Sequence, residues 1–194
     1  SSFNNSYKIM PEMFEVWIKI LERVNNSILW LLVDNETVKN NLKRILFSRG
    51  IDQKRLIFAS RMIHTEHLAR LKLADLFLDT YPCNAHTTAS DSLRSCLPII
   101  TLRGSSFASR VTSSLLSSVG LEKLITNTKK DYEELAVKIA KDKNLYIKIK
   151  DELATNIKSK PFLNTQIFTK KLESAYTNVY KKYLNNEKPE TIEI

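Results

Sequence analysis

Leu76-Phe77-Leu78-Asp79-Thr80 runs through Tyr81-Pro82-Cys83-Asn84-Ala85 into His86-Thr87-Thr88-Ala89-Ser90-Asp91, and Pro98-Ile99-Ile100-Thr101-Leu102 follows. The first and last pieces are apolar and rich in branched residues without polar alternation, as in strands buried on both faces. The middle piece is a polar loop opening into a helix. Working outward, similar runs occur at Ile28 to Val33, Leu56 to Phe58 and Leu121 to Ile125. Between them Phe14, Trp17, Ile18 and Leu21 share one helical face, as do Val38, Leu42, Ile45 and Leu46. Pro11 suits a first helical turn, Gly50 the left-handed position after a helix, and Thr65 with Glu66 a helix start. Strand and helix alternate, which predicts an α/β fold with a doubly wound parallel sheet.

From Thr128 onward the strand signal stops. Tyr132, Leu135 and Ile139, then Leu145, Ile149 and Leu153, then Phe168, Leu172, Ala175 and Val179 repeat at helical spacing. The expected organisation is an α/β unit over 1–127 and C-terminal helices over 128–194 packed on the same domain. Ser1-Ser-Phe-Asn-Asn5 reads as the end of a strand whose beginning is absent, so the chain is expected to be a fragment of a longer polypeptide extending N-terminal to Ser1.

The 194 residues are 43% hydrophobic with three glycines, which fits one packed domain rather than a linker or fibre. Ile28 to Val33 is far short of the roughly 20 apolar residues that span a bilayer, and no signal pattern opens the chain. A cytoplasmic protein without membrane contact is expected. Cys83 and Cys96 are too few for a disulfide framework and lack zinc-site spacing, so both are read as free thiols. The net charge of +9 lies mostly in the second half, with 17 Lys/Arg against 11 Asp/Glu after residue 100 and 13 against 10 before it. Around Lys129-Lys130, Lys170-Lys171 and Lys181-Lys182 aromatic residues are not interleaved in a platform pattern, and no known nucleic-acid motif is present, so nucleic acid is not expected as a partner.

In an open parallel sheet, ligands bind beyond the carboxyl ends of the strands. Polar residues follow the strands at Asn5, Tyr7 and Lys8; at Ser60, Arg61, His64 and His67; at Asp79 to Asp91; and at Arg103 to Ser106. His86-Thr87-Thr88 opens a helix whose free N–H groups and positive dipole end suit an anion, with two hydroxyls extending the cradle. The same residues also fit a plain helix cap with a structural histidine. Asp91 suits hydrogen bonds from ribose hydroxyls or a solvated helix face. Lys8 suits a diphosphate or solvent. Neither GxGxxG nor GxxxxGK[ST] is present, which argues against ordinary dinucleotide and P-loop sites.

Taken together, Phe3-Asn-Asn-Ser-Tyr-Lys-Ile9, Leu78-Asp-Thr80, Cys83-Asn-Ala-His-Thr-Thr88, Asp91 and Ala108-Ser-Arg-Val111 resemble the C-terminal catalytic half of the protein O-linked N-acetylglucosamine transferases. The match continues through Asp131-Tyr-Glu133, Leu135-Ala-Val-Lys138, Phe162-Leu-Asn-Thr165 and Lys188-Pro189. The resemblance implies the second Rossmann-like domain of a GT-B glycosyltransferase, preceded in the family by tetratricopeptide repeats. Its substrate would be UDP-N-acetylglucosamine, with no separate cofactor. Lys8 would be the catalytic cation and, with Asn5, would contact the diphosphate. His86, Thr87 and Thr88 would hold the diphosphate oxygens, and Asp91 the ribose. His67 would border the base, with Arg70 and the main chain at Met62 reading its edge. No metal is implied, and the sequence has no Asp-x-Asp motif.

Two positions depart from the family pattern. Asn5 stands where a glutamine is usual, one methylene shorter, and His64 stands where a lysine lies near the ribose. Neutral histidine dominates at pH 7, so that exchange removes a permanent charge. The expected function is the donor-binding half of an inverting transferase acting on protein Ser/Thr. Acceptor proteins would bind through the absent N-terminal portion, and the fragment alone would bind nucleotide with little turnover. The alternatives are a non-catalytic nucleotide-sugar sensor and, as in the related plant SPINDLY branch, a transferase using GDP-fucose.

Overall fold

The computed structural model describes residues 1–161 and 164–192, so Phe162 and Leu163 of the quoted Phe162-to-Thr165 stretch lie outside the described residues. Five short strands occur among the described residues: β1 Leu29–Leu32, β2 Leu56–Ala59, β3 Phe77–Leu78, β4 Ile99–Leu102 and β5 Ile125–Thr126. β1 pairs with β2, and β3, β4 and β5 pair in that order, all in parallel.

The first three residues stitch the two groups together. Ser2 forms a parallel bridge to Leu31, with its N–H donating to Trp30 O at 2.8 Å. On the other side the Ser1 nitrogen donates to Leu76 O at 2.6 Å and Ser1 O accepts from Leu78 N at 2.7 Å. Counting this segment as a strand, the layer runs β2, β1, residues 1–3, β3, β4, β5, which is the 3-2-1-4-5-6 order of dinucleotide-binding sheets. The strand order reverses direction between residues 1–3 and β3, and a ligand crevice opens at such a point.

Eight α-helices occur among the described residues: α1 Pro11–Arg23, α2 Glu36–Ser48, α3 His64–Leu71, α4 Thr87–Arg94, α5 Val111–Ser118, α6 Lys129–Lys141, α7 Lys143–Ser159 and α8 Thr165–Leu184. Right-handed crossovers that build outward in both directions from the reversal put α1 and α2 on one face and α4 and α5 on the other. α6 returns to pack on α1 and β4, and α7 packs on α6 and α4. Trp17 of α1 and Tyr132 of α6 are fully buried, and area bookkeeping gives each on the order of 5 kcal/mol.

The expected starts and stops hold at Pro11, the first residue of α1, and at Gly50, which takes φ 73° after α2. α3 instead begins one residue before Thr65, at His64. The predicted strand from Leu121 to Ile125 is corrected, because Glu122–Leu124 forms a 3-10 turn and β5 comprises only Ile125–Thr126. The apolar side chains Leu121 and Leu124 are buried from that turn, so their spacing mimics a strand. β2 is an edge strand, and its Ile57 is exposed rather than buried on both faces. The reading of 128–194 places all C-terminal helices on the domain, whereas α8 buries none of its residues and exposes Phe168, Tyr176, Val179, Tyr180 and Tyr183. No described helix is long and apolar enough to cross a membrane.

Candidate functional site

β3 ends at Leu78, and Asp79, fully buried, turns back to organise the loop that follows. Its Oδ1 accepts from Thr80 N at 2.8 Å and Ala85 N at 2.7 Å, and its Oδ2 accepts from Thr101 Oγ1 at 2.7 Å. Burial pushes the Asp79 carboxyl up to about 6, against the downward pull of these donors. Tyr132 Oη donates to the Asp79 carbonyl at 3.0 Å, which couples α6 to the loop. Asn84 Nδ2 donates to Thr80 O at 2.8 Å, Thr80 Oγ1 to Cys83 O at 2.7 Å, and Thr112 Oγ1 to Ala85 O at 2.8 Å. Asn4, buried at the end of the N-terminal segment, donates to Thr80 Oγ1 at 3.0 Å. The loop is held from every side by groups distant in sequence.

That loop delivers His86 as the N-cap of α4, with Thr87 and Thr88 as its first two residues. No side chain caps this terminus; the first amides with intrahelical partners are those of Ala89 and Ser90, which donate to His86 O at 3.1 Å. The preceding N–H groups point along the axis at the positive dipole end. Across the crevice Ser6–Lys8 forms one 3-10 turn, and Lys8 Nζ donates to Asn84 O at 2.8 Å, just before the helix. An ammonium and an uncapped helix terminus, 76 residues apart in sequence, thus meet at one loop. The His86 ring stands edge-on to exposed Phe107, with centroids 6.0 Å apart. Gly104 closes the neighbouring loop, since a Cβ there would lie 2.5 Å from Ser109 Oγ and 2.9 Å from the Tyr81 ring.

The segment after β2 forms the other wall. His64 Nε2 lies 3.3 Å from Asp91 Oδ1, which ties the start of α3 to α4. Asp91 is 9% exposed, so the solvated-face alternative does not describe it. His67 is held from within: Arg70, 6% exposed, donates to its Nδ1 at 2.7 Å and to Ser60 O at 2.8 Å, with the guanidinium 4.5 Å over the Phe3 ring. Burial, then the Arg70 charge, keeps the His67 pKa below its ordinary value, and Nδ1 as acceptor leaves the proton on Nε2. Arg70 faces inward and fixes His67, while Met62 is exposed at the rim. Asn5 lies just before the Lys8 turn, its Oδ1 accepting from Arg61 Nη2 at 2.6 Å.

Of the ten expected site residues, Lys8 meets the loop that leads into His86, Thr87 and Thr88, His64 meets Asp91, and Asn5 meets Arg61. Arg70 instead lies inward beneath His67, and Met62 is exposed without a side-chain hydrogen bond among the described residues. His67, Arg70 and Met62 thus lie behind or beside the others, which outline the candidate crevice less completely than the sequence implies. Sequence reading did not single out Asn4, Thr101 or Thr112, which support it. Thr101 carried a signal, as the one hydroxyl inside the apolar run from Pro98 to Leu102. A cavity of about 520 Å³ lies elsewhere, among Trp17, Leu21, Leu29, Leu76 and Ala136 at the amino ends of the strands. It is walled mainly by apolar side chains and includes none of the ten, so the candidate site remains at the carboxyl ends of the strands.

A six-membered parallel layer in the 3-2-1-4-5-6 order, with helices on both faces, defines a Rossmann-like domain. The comparisons narrow this: the profile of glycosyl transferase family 41 matches residues 1–172, and the chain belongs to that family. It is 33% identical over 182 residues to a UDP-N-acetylglucosamine–peptide N-acetylglucosaminyltransferase of Caenorhabditis elegans, covering 94% of this chain and 16% of that protein. A probable enzyme of the same name from Arabidopsis thaliana, SEC, is 34% identical over 193 residues, covering 99% of this chain and 20% of that protein. The solved structure of a mutant O-GlcNAc transferase from Thermobaculum terrenum superposes with a TM-score of 0.87 at 31% identity, covering 93% of this chain and 35% of that one. The chain thus spans a fifth or less of the length of these curated relatives.

Proposed function

We propose that this chain is the donor-binding half of an inverting glycosyltransferase that moves N-acetylglucosamine from UDP-N-acetylglucosamine to Ser or Thr of proteins. The observation that carries the reading is the meeting of Lys8 with the uncapped start of α4 at the strand-order reversal. Inverting transfer breaks the bond between the sugar's anomeric carbon and the diphosphate, leaving negative charge on the departing nucleoside diphosphate. Fixed donors aimed at that charge lower the barrier. Lys8 supplies a full cation there, while the α4 amides and the Thr87 and Thr88 hydroxyls supply oriented dipoles. Asp91 receives the ribose hydroxyls, and His67, held by Arg70, borders the base near the main chain of Met62. Charged hydrogen bonds at about 1.5–3 kcal/mol each make the cluster worth several powers of ten in rate. Acceptor proteins bind elsewhere in the full-length protein, and a cytoplasmic setting fits the two free cysteines.

Calorimetric titration with UDP, GDP and their sugar conjugates tests the site, and peptide glycosylation by the full-length protein, with Lys8→Ala beside it, tests the activity. UDP binding with loss of transfer in Lys8→Ala is expected. A Lys8→Ala protein as active as wild type counts against the reading. A second reading, a different nucleotide sugar such as GDP-fucose, is raised by His64, which stands where the family usually has a lysine. Tighter binding of GDP than UDP selects it.

A further inference from the structure

Three consecutive strand ends on the crevice rim are joined by one side chain that the donor reading leaves without a role. Asn5 follows the N-terminal segment, Asp34 follows β1, and Arg61 follows β2. Arg61 Nη2 donates to Asn5 Oδ1 at 2.6 Å, while its Nε donates to Asp34 Oδ2 at 3.0 Å. The Arg61 side chain is 69% exposed and that of Asp34 48%, so the ion pair contributes little to folding. Its consequence is local. An amide whose oxygen is held by a guanidinium must turn its NH2 the other way. The remaining contact of that NH2, with Tyr7 Oη, is 3.4 Å long, near the limit of a hydrogen bond. Its donor hydrogens are therefore turned away from Arg61 and weakly held, on a residue three positions before Lys8. Released from Arg61, the amide can rotate and present its carbonyl oxygen, which repels an anion.

We propose that Arg61 is a positioning residue of the donor site: anchored by Asp34, it locks the Asn5 amide with its N–H groups toward the diphosphate. Binding of a nucleoside diphosphate, but not of the monophosphate, depends on it. This rests on the donor-site reading above. It also accounts for a short asparagine serving at this place, because the guanidinium supplies the orientation that a longer side chain would gain from its reach.

The test is calorimetric titration of wild type, Arg61→Ala, Asn5→Ala and the double variant. The ligands are whichever of UDP and GDP the wild type binds more tightly, and its monophosphate. Arg61→Ala is expected to weaken diphosphate binding about five- to ten-fold and monophosphate binding less than about two-fold, with an unchanged melting temperature. The double variant is expected to bind no more weakly than Asn5→Ala, since Arg61 acts through that amide. Equal losses for both nucleotides, additive losses in the double variant, or an Arg61→Ala protein that binds like wild type would each overturn the assignment. Wild-type protein that binds neither UDP nor GDP overturns the donor-site reading itself and this assignment with it.

Discussion

The two walls of the crevice are built differently. The wall after β3 is largely buried and braced: Asp79, Thr80, Asn84 and Ala85 are internal, and five distant residues hold the loop by hydrogen bonds. The wall after β2 is open, with Arg61 through Glu66 all exposed and bound to the rest by isolated side-chain contacts. Preorganised donors matter most where charge develops in a reaction, and a braced loop holds them without reorganisation. An open wall tolerates exchange, because an exposed side chain can be replaced without leaving buried polar groups unpaired. Both departures from the family pattern, Asn5 and His64, contact that open wall or lie on it. On the proposed reading, the donors that meet the leaving charge belong to the rigid side and the choice of ligand to the adaptable one.

Breaking the rigid wall should have the largest effect. Asp79→Ala strands the amides of Thr80 and Ala85 and the Thr101 hydroxyl, and is expected to cost about 3–5 kcal/mol in denaturant unfolding. Asp79→Asn keeps an acceptor for both amides and should cost far less. Next comes Lys8→Ala, expected to lower the transfer rate of the full-length protein by about 100-fold or more at saturating donor, with about 1 kcal/mol of stability lost with its hydrogen bond to Asn84 O.

A pH series sharpens the contrast further. The Asp79 carboxyl is raised from 3.8 to about 6, so between those values the folded state keeps a proton that the unfolded state releases. Its contribution to stability is therefore fully present below about pH 4 and declines as pH rises through 6, by about 3 kcal/mol at most. Unfolding curves at pH 4 and pH 7 should show wild type losing stability relative to Asp79→Asn across that interval; a constant gap would mean that the carboxyl does not titrate there. The smallest effect belongs to the open wall. Met62→Ala should leave stability within about 0.5 kcal/mol and change nucleotide affinity less than about two-fold, because the proposed contact is with its main chain. A larger loss would show that the open wall is built by side chains after all.

The site was legible in the sequence to the extent that its residues follow strands. Lys8, His86 to Thr88 and Asp91 stand out as candidates because parallel sheets place ligands at strand ends and helix starts attract anions. Arg70 carries an outward role in the sequence reading, yet it is buried beneath His67, since one charged residue on a short helix carries no sign of which way it turns. α8 shows the same limit on a larger scale: Phe168, Leu172 and Val179 repeat at a helical period, which specifies an apolar stripe but not a surface to receive it.

By itself the sequence determined the alternation of strands and helices, the helix start at Pro11, the change to helices after Thr128, and the polar residues available at each strand end. These follow from periodicity and local backbone chemistry, which neighbouring residues encode. Only the tertiary structure decided that Ser1 to Phe3 join β1 to β3, that Lys8 meets the loop of α4, and that Arg61 holds Asn5. Those contacts span 29 to 76 residues and depend on strand order, which a one-dimensional pattern does not record.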